Sequence, residues 1–209
     1  MLRAARTGGR TSQVVERPTG RMQDASDEEL VALIGGGDRR AYHVLVERHG
    51  RRVLGLARRM MRNLSEAEDV SQDAFLRVWQ KAGEWQPRGA RFTTWLYRVV
   101  VNLCLDRKRR PTMAPIEAAG DPADSRPDAE QTLAKSQQDR HVSAALQALP
   151  ERQRAALVLS YFEGLSNVEA AGALELSVSA LESLLVRARR ALRQELQSRG
   201  VETGAKEEP

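Results

Sequence analysis

Trp95, Arg98, Asn102, Asp106 and Arg109 recur at i, i+3, i+7, i+11 and i+14, a spacing that puts all five on one face of a helix. Leu96, Val99, Val100 and Leu103 fall on the opposing face. An asparagine amide can bond adenine bidentately, and an arginine can read guanine or hold a phosphate. The chemistry open to such a face is hydrogen-bonded recognition of nucleic acid, with no bond made or broken. An ordinary polar exterior would show the same row, and spacing alone leaves both readings open.

A second constellation lies further along the chain. Ser166 and Glu169 have the spacing of a capping box. After Glu175-Leu176 the pattern restarts at Ser177, and Val178, Leu181, Leu185, Ala188 and Leu192 form one apolar stripe. Arg187, Arg189, Arg190 and Arg193 crowd the C-terminal half of that segment. Two capped helices, a tight turn and a basic second helix are the layout of a helix-turn-helix, whose second helix enters the DNA major groove. A plain αα-hairpin has the same periodicity.

Two further groups stand out. Residues 83–95 hold Trp85, Phe92 and Trp95 among Arg88, Arg91, Thr93 and Thr94, so three of the nine aromatics gather there. Aromatics interleaved with arginines suit stacking on unpaired bases while phosphates are neutralised, although Phe92 and Trp95 could equally close a core. Glu66, Asp69 and Asp73 share one helix face, with Gln72 beside them and Val70, Ala74 and Val78 turned away. That row is either a solvated acidic face or a docking surface.

These groups need helices to position them, and the 209 residues are enough for one or two small domains. The expected fold is all-α: two small helical domains joined by a flexible acidic linker. Residues 1–24 are polar and arginine-bearing and read as a disordered basic tail; Met22 offers an alternative start. The first domain spans 25–110. Ser26 is its N-cap, Gly35-Gly36-Gly37-Asp38 stops the opening helix, and Ser65 with Glu68 is expected to box the helix carrying the acidic row. Residues 111–139 form the linker, whose first part holds Pro111, Pro115, Pro122 and Pro127 with five acidic residues; helical pattern resumes near Thr132. The second domain covers 140–200, and 201–209 are a polar tail.

Composition bounds the function. Basic residues number 33 against 28 acidic, a net +5 that suits a polyanionic partner. The 29 arginines against four lysines also fit GC-rich codon usage, so placement carries more than the total. Cys104 stands alone, which excludes a disulfide framework and a cysteine-based zinc site; it reads as a buried small apolar residue. His43, His49 and His141 have no metal-ligand spacing, so neither metal nor other cofactor is expected. No apolar run approaches the ~18 residues of a span, and the N-terminus lacks the apolar core of a signal peptide; a cytoplasmic protein without membrane insertion is expected.

The segments Glu66-Ala67-Glu68-Asp69-Val70-Ser71-Gln72-Asp73-Ala74-Phe75-Leu76-Arg77-Val78-Trp79 and Arg91-Phe92-Thr93-Thr94-Trp95-Leu96-Tyr97-Arg98, with Asn102 and Asp106-Arg107, closely resemble region two of the extracytoplasmic-function sigma factors. Leu149-Pro150-Glu151-Arg152-Gln153-Arg154 and Tyr161-Phe162-Glu163-Gly164-Leu165-Ser166 resemble region four of that family. The resemblance covers 26–110 and 140–197. It implies a transcription initiation factor that binds core RNA polymerase, directs it to −10 and −35 elements and melts the −10 region, under the control of an anti-sigma factor in response to stress or another signal. It assigns polymerase binding, on the β′ clamp helices, to Glu66, Asp69, Gln72 and Asp73, and implies a β-flap contact through region four. It gives −10 recognition to Arg91, Thr94, Trp95, Arg98, Asn102 and Arg109, and the melting loop to Trp85, Arg88 and Phe92. Asp106, repelled by phosphates, is expected to orient an arginine. The −35 contacts fall to Ser177, Ser179, Ala180, Glu182, Ser183, Arg187 and Arg190. Here the chain departs from many relatives, which carry a basic residue where it has Glu182 or Leu184. Glu182 could accept from a cytosine amine or could cap Ser179. A stand-alone helix-turn-helix regulator needs neither the acidic face nor the aromatic loop. A nuclease needs clustered carboxylates or histidine ligands that the chain lacks, so no enzymatic activity is expected.

Overall fold

The computed structural model describes residues 22–87, 91–109 and 129–201, without the side chains of 108–109 and 129–138. Arg88, both tails and most of the acidic linker lie outside the described residues. Helix α1 (Asp27–Gly35) opens on Ser26, whose hydroxyl accepts from the Glu29 amide at 3.2 Å while the Glu29 carboxylate accepts from the Ser26 amide at 2.7 Å. It ends at the glycines: Gly37 takes φ +88°, and a Cβ on Gly35 would lie 2.9 Å from the Gly83 Cα. Helix α2 (Arg39–Met60) starts on Asp38, which accepts from the amides of Arg40 and Ala41. Its buried stripe is Ala41, Leu45, His49, Val53, Leu56, Ala57 and Met60, the helical period kept for the full length.

Helix α3 (Leu64–Lys81) begins earlier than the Ser65–Glu68 pair predicts. Asn63 is its cap, accepting from the Glu66 amide at 3.1 Å, and the expected box at Ser65 is not formed. Helix α4 (Phe92–Arg109) starts at Phe92, whose amide donates to Glu28 on α1. Helices α1 to α4 pack around α2 as one unit.

Helix α5 (Ala129–Ala148) starts inside the segment assigned to the linker: Pro127 is the last proline before it, and beyond that point nothing denies the backbone its helical bonds. Helix α6 (Glu151–Leu157) runs into a π-helical turn, Val158–Phe162, ahead of Gly164 at φ +69°. Helix α7 (Asn167–Leu174) is boxed by Ser166 and Glu169, and helix α8 (Val178–Ser198) is capped by Ser177. Between them Glu175 takes the left-handed region, φ 56°. Leu181, Leu185 and Ala188 hold α8 to the core, whereas Val178, expected on that stripe, is exposed.

The sequence leads one to expect two separate bodies on a tether. In the structure they are packed together and their buried residues form a single cluster. α4 lies against α7, and α2 lies against α5, α6 and the π turn. One polar part of this interface is built on the end of α2. Terminal helix carbonyls have no partner within the helix. Here the Gln147 amide donates to the carbonyls of Arg59 (3.0 Å) and Met61 (2.7 Å), and Arg154 donates to that of Met60 (2.6 Å).

Candidate nucleic-acid interface

The acidic row sits on the outer side of α3. Asp69 and Gln72 are exposed, and Glu66 and Asp73 half-buried. Arg107 of α4 spans two of them, donating to Asp69 at 3.0 Å and Asp73 at 2.9 Å. Burial works against the Arg107 charge, but the two carboxylates outweigh it and hold the guanidinium above its ordinary value. Leu76 lies exposed one turn on from Gln72 and Asp73, so an apolar side chain accompanies the carboxylates.

The start of α4 is an aromatic knot. The Phe92 ring centroid lies 5.9 Å from Trp85, 5.7 Å from Trp95 and 5.9 Å from His49. Phe92 is fully buried and Thr94 nearly so. Of the two readings the sequence left open, core closure is what Phe92 does in this arrangement, packed among three rings. Trp85 and Trp95 are half-buried and Arg91 exposed. Beneath the knot, His49 Nε2 lies 2.8 Å from Asp27, which also accepts from Arg48 at 2.6 Å. Burial opposes the Asp27 charge, yet these two partners hold its carboxyl below the ordinary range.

Along α4, Arg98 and Asp106 are exposed and Asn102 is half-buried; the Arg109 side chain lies outside the described residues. Arg98 is not free: its guanidinium is ion-paired with Glu175 in the turn between α7 and α8. Arg91 lies 4.0 Å from Glu169 of α7. The polar face of α4 and the first half of the helix-turn-helix therefore hold each other.

α8 differs. Ser177, Ser179, Ala180, Glu182, Ser183, Arg187 and Arg190 are all exposed, on the side away from the buried Leu181, Leu185 and Ala188. Ser177 Oγ lies 3.2 Å from Ser179 Oγ and accepts from the Ala180 amide. Arg187 donates to the Ser183 carbonyl at 3.3 Å. Glu182 does not cap Ser179; its carboxylate accepts from the Asn167 side-chain amide at 3.2 Å.

This architecture matches known proteins. The Sigma-70 region 2 family model matches residues 45–112, and the Sigma-70, region 4 model matches 140–192. The chain is 34% identical to the RNA polymerase sigma-H factor of Pseudomonas aeruginosa, over 82% of this chain and 94% of that protein. It belongs to the sigma factors of the extracytoplasmic-function group. The ECF RNA polymerase sigma factor SigM of Mycobacterium tuberculosis is 38% identical over 81% of this chain and 84% of its own. The structure of CnrH in complex with the cytosolic domain of CnrY aligns with a TM-score of 0.63 at 30% identity, over 83% of this chain and 99% of that one. A sigma factor directs core RNA polymerase to promoters, so this chain is a transcription initiation factor, with region two matched from within α2 to the end of α4 and region four matched over the C-terminal helices. Among the described residues no group of His, Cys, Asp and Glu is placed to hold a metal ion, and no helix is long and apolar enough to cross a membrane.

Sequence reasoning did not single out Arg52, Arg154 or Glu163. Arg154 is buried and donates to five acceptors: the carbonyls of Leu146, Met60, Gln147 and Leu149 and the Gln147 side chain. Glu163 of region four is buried between Arg52 of α2, 3.6 Å away, and Tyr97 of α4. Burial, then the Glu163 charge, push the Tyr97 hydroxyl up to about 12. Each looks in sequence like one more surface charge in an arginine-rich chain.

Proposed function

We propose that this sigma factor docks on the β′ clamp helices through Glu66, Asp69, Gln72 and Asp73, reads and melts the −10 element with α4 and the loop before it, and reads the −35 element with α8. Region four sits on the β flap. The protein works in the cytoplasm and catalyses no covalent step. The observation that carries the reading is the division of α8: an apolar face turned inward at Leu181, Leu185 and Ala188, and an outward face on which Ser179, Ala180, Glu182 and Ser183 are followed by Arg187 and Arg190. Small residues let a helix approach base edges, and arginines further along grip phosphates.

On this reading the packed arrangement is a resting form. Arg98 and Arg91 are held by Glu175 and Glu169, so DNA can take them only after region four moves away from region two. An anti-sigma factor would hold the rested form and core polymerase would open it; the CnrH structure, solved with the cytosolic domain of CnrY, supports such a partner for a sigma factor of this shape. Polymerase docking is tested by Asp69→Lys with Asp73→Lys in one chain. Both residues lie on the outer side of α3, so helicity by circular dichroism should be unchanged while co-purification with core enzyme is lost. Retained co-purification would remove the acidic face from the docking site.

A further inference from the structure

Glu182 lies on the outward face of the recognition helix, and its carboxylate is anchored. Asn167, at the first position of α7, donates from its side-chain amide to one Glu182 oxygen, Oε1, at 3.2 Å. Both residues are exposed and lie on different helices of the helix-turn-helix. A free glutamate on a helix surface samples many rotamers. This one is tethered across the turn, which leaves Oε2 as the open acceptor.

The geometry points to a two-residue base reader in which Asn167 positions Glu182 to accept from the exocyclic amine of one cytosine in the −35 element. The base is set by the major-groove pattern. Guanine presents N7 and O6 and thymine presents O4, acceptors that repel a carboxylate. Adenine offers an amine beside the acceptor N7, which also disfavours a carboxylate. The cytosine amine has an acceptor on one side only, the O6 of its paired guanine, whereas the adenine amine lies between two, so cytosine is the base a carboxylate can approach. A carboxylate entering the groove is opposed by the phosphates, and Arg187 and Arg190, exposed further along α8, supply the compensating charge. Asn167 would touch no base; it acts through Glu182.

This rests on the proposal that α8 reads the −35 element, and the experiment separates the two. Holoenzyme reconstituted from core polymerase and the full chain is bound to duplex promoters randomised across the −35 element, and bound sequences are counted. The wild type should prefer cytosine at one position by roughly tenfold. Glu182→Gln should move that single preference to adenine, because an amide pairs with adenine N6 and N7. Asn167→Ala should keep cytosine but weaken the preference several-fold, with circular dichroism unchanged. An unchanged Glu182→Gln profile, or one that weakens all sequences alike, overturns base reading by Glu182. A Glu182→Gln switch with an unchanged Asn167→Ala profile overturns the positioning role of Asn167. If the wild type selects nothing at −35 and Arg187→Ala leaves binding unaltered, the reading of α8 itself fails.

Discussion

Arg154 is a guanidinium buried against carbonyls, with no carboxylate hydrogen-bonded to it among the described residues. Burial lowers its pKa, and the carbonyls are what make the charge tolerable there. Replacing it with Met would strand several acceptors at once, among them one at the end of α2. Arg154→Met is expected to destabilise the chain by about 3 kcal/mol, read from urea unfolding; a loss under about 0.5 kcal/mol would mean that water replaces the guanidinium. Glu175 makes the opposite case. A left-handed backbone at a residue with a Cβ costs on the order of 1 kcal/mol, which glycine avoids. Glu175→Gly should therefore raise the melting temperature while removing the partner of Arg98, so the two regions part more readily though each is firmer. A fall in melting temperature would show that the ion pair outweighs the backbone strain. Neither role was legible in sequence. Arg154 is one arginine among 29, and the partner of Arg98 lies in the other region of the chain.

Elements were the most legible scale. The helices opening on Ser26, Ser166 and Ser177 could be placed because a capping box or cap is local, written within three residues of itself. Asn63 and Ser65 show the limit of that logic. Both are good caps two positions apart, and only the backbone decides: Asn63 is extended, φ −123° and ψ 138°, whereas Ser65 is already helical. Asn63→Ala should cost about 1 kcal/mol and Ser65→Ala only a few tenths, measured as the shift in unfolding midpoint. Equal losses would return the cap to Ser65. The π turn at Val158–Phe162 was illegible for a different reason. One wide turn shifts the phase of the residues after it without changing their types, so Leu159 is buried while Tyr161 and Phe162 face outward. The outer face of α3 was readable from spacing. Arg107, more than thirty positions from its carboxylates, was not read as their partner.

For the whole molecule, sequence carries the content of each region but not their embrace, because the polar contacts that join them, Arg98 with Glu175 and Arg52 with Glu163, pair residues far apart in the chain. The embrace should respond to pH. Burial raises the Glu163 carboxyl above its ordinary 4.5, against the pull of Arg52 and Arg59. A raised acid keeps its proton longer when buried than when released, so the packed form gains as pH falls through the raised value and loses as pH rises through it. Asp27, whose partners Arg48 and His49 lie on α2, acts on the first region's own stability and not on the embrace: its lowered carboxyl contributes stability above the ordinary 3.8 that is lost on acidification below it. Energy transfer between dyes on regions two and four should therefore decline as pH rises from 4.5, and Glu163→Gln should flatten the curve. A slope that survives the substitution would assign it to other groups. The pairing of Arg98 with Glu175 has one more effect. If only a fraction of molecules is open, the apparent dissociation constant for every promoter is the intrinsic one divided by that fraction. The ratio between strong and weak promoters is untouched, but both are carried away from saturation. Near saturation all sites fill alike; well below it, occupancy tracks affinity. If the packed arrangement is the resting form proposed above, a clasp between a helix and a turn would make the response graded across promoters, with no base contact altered.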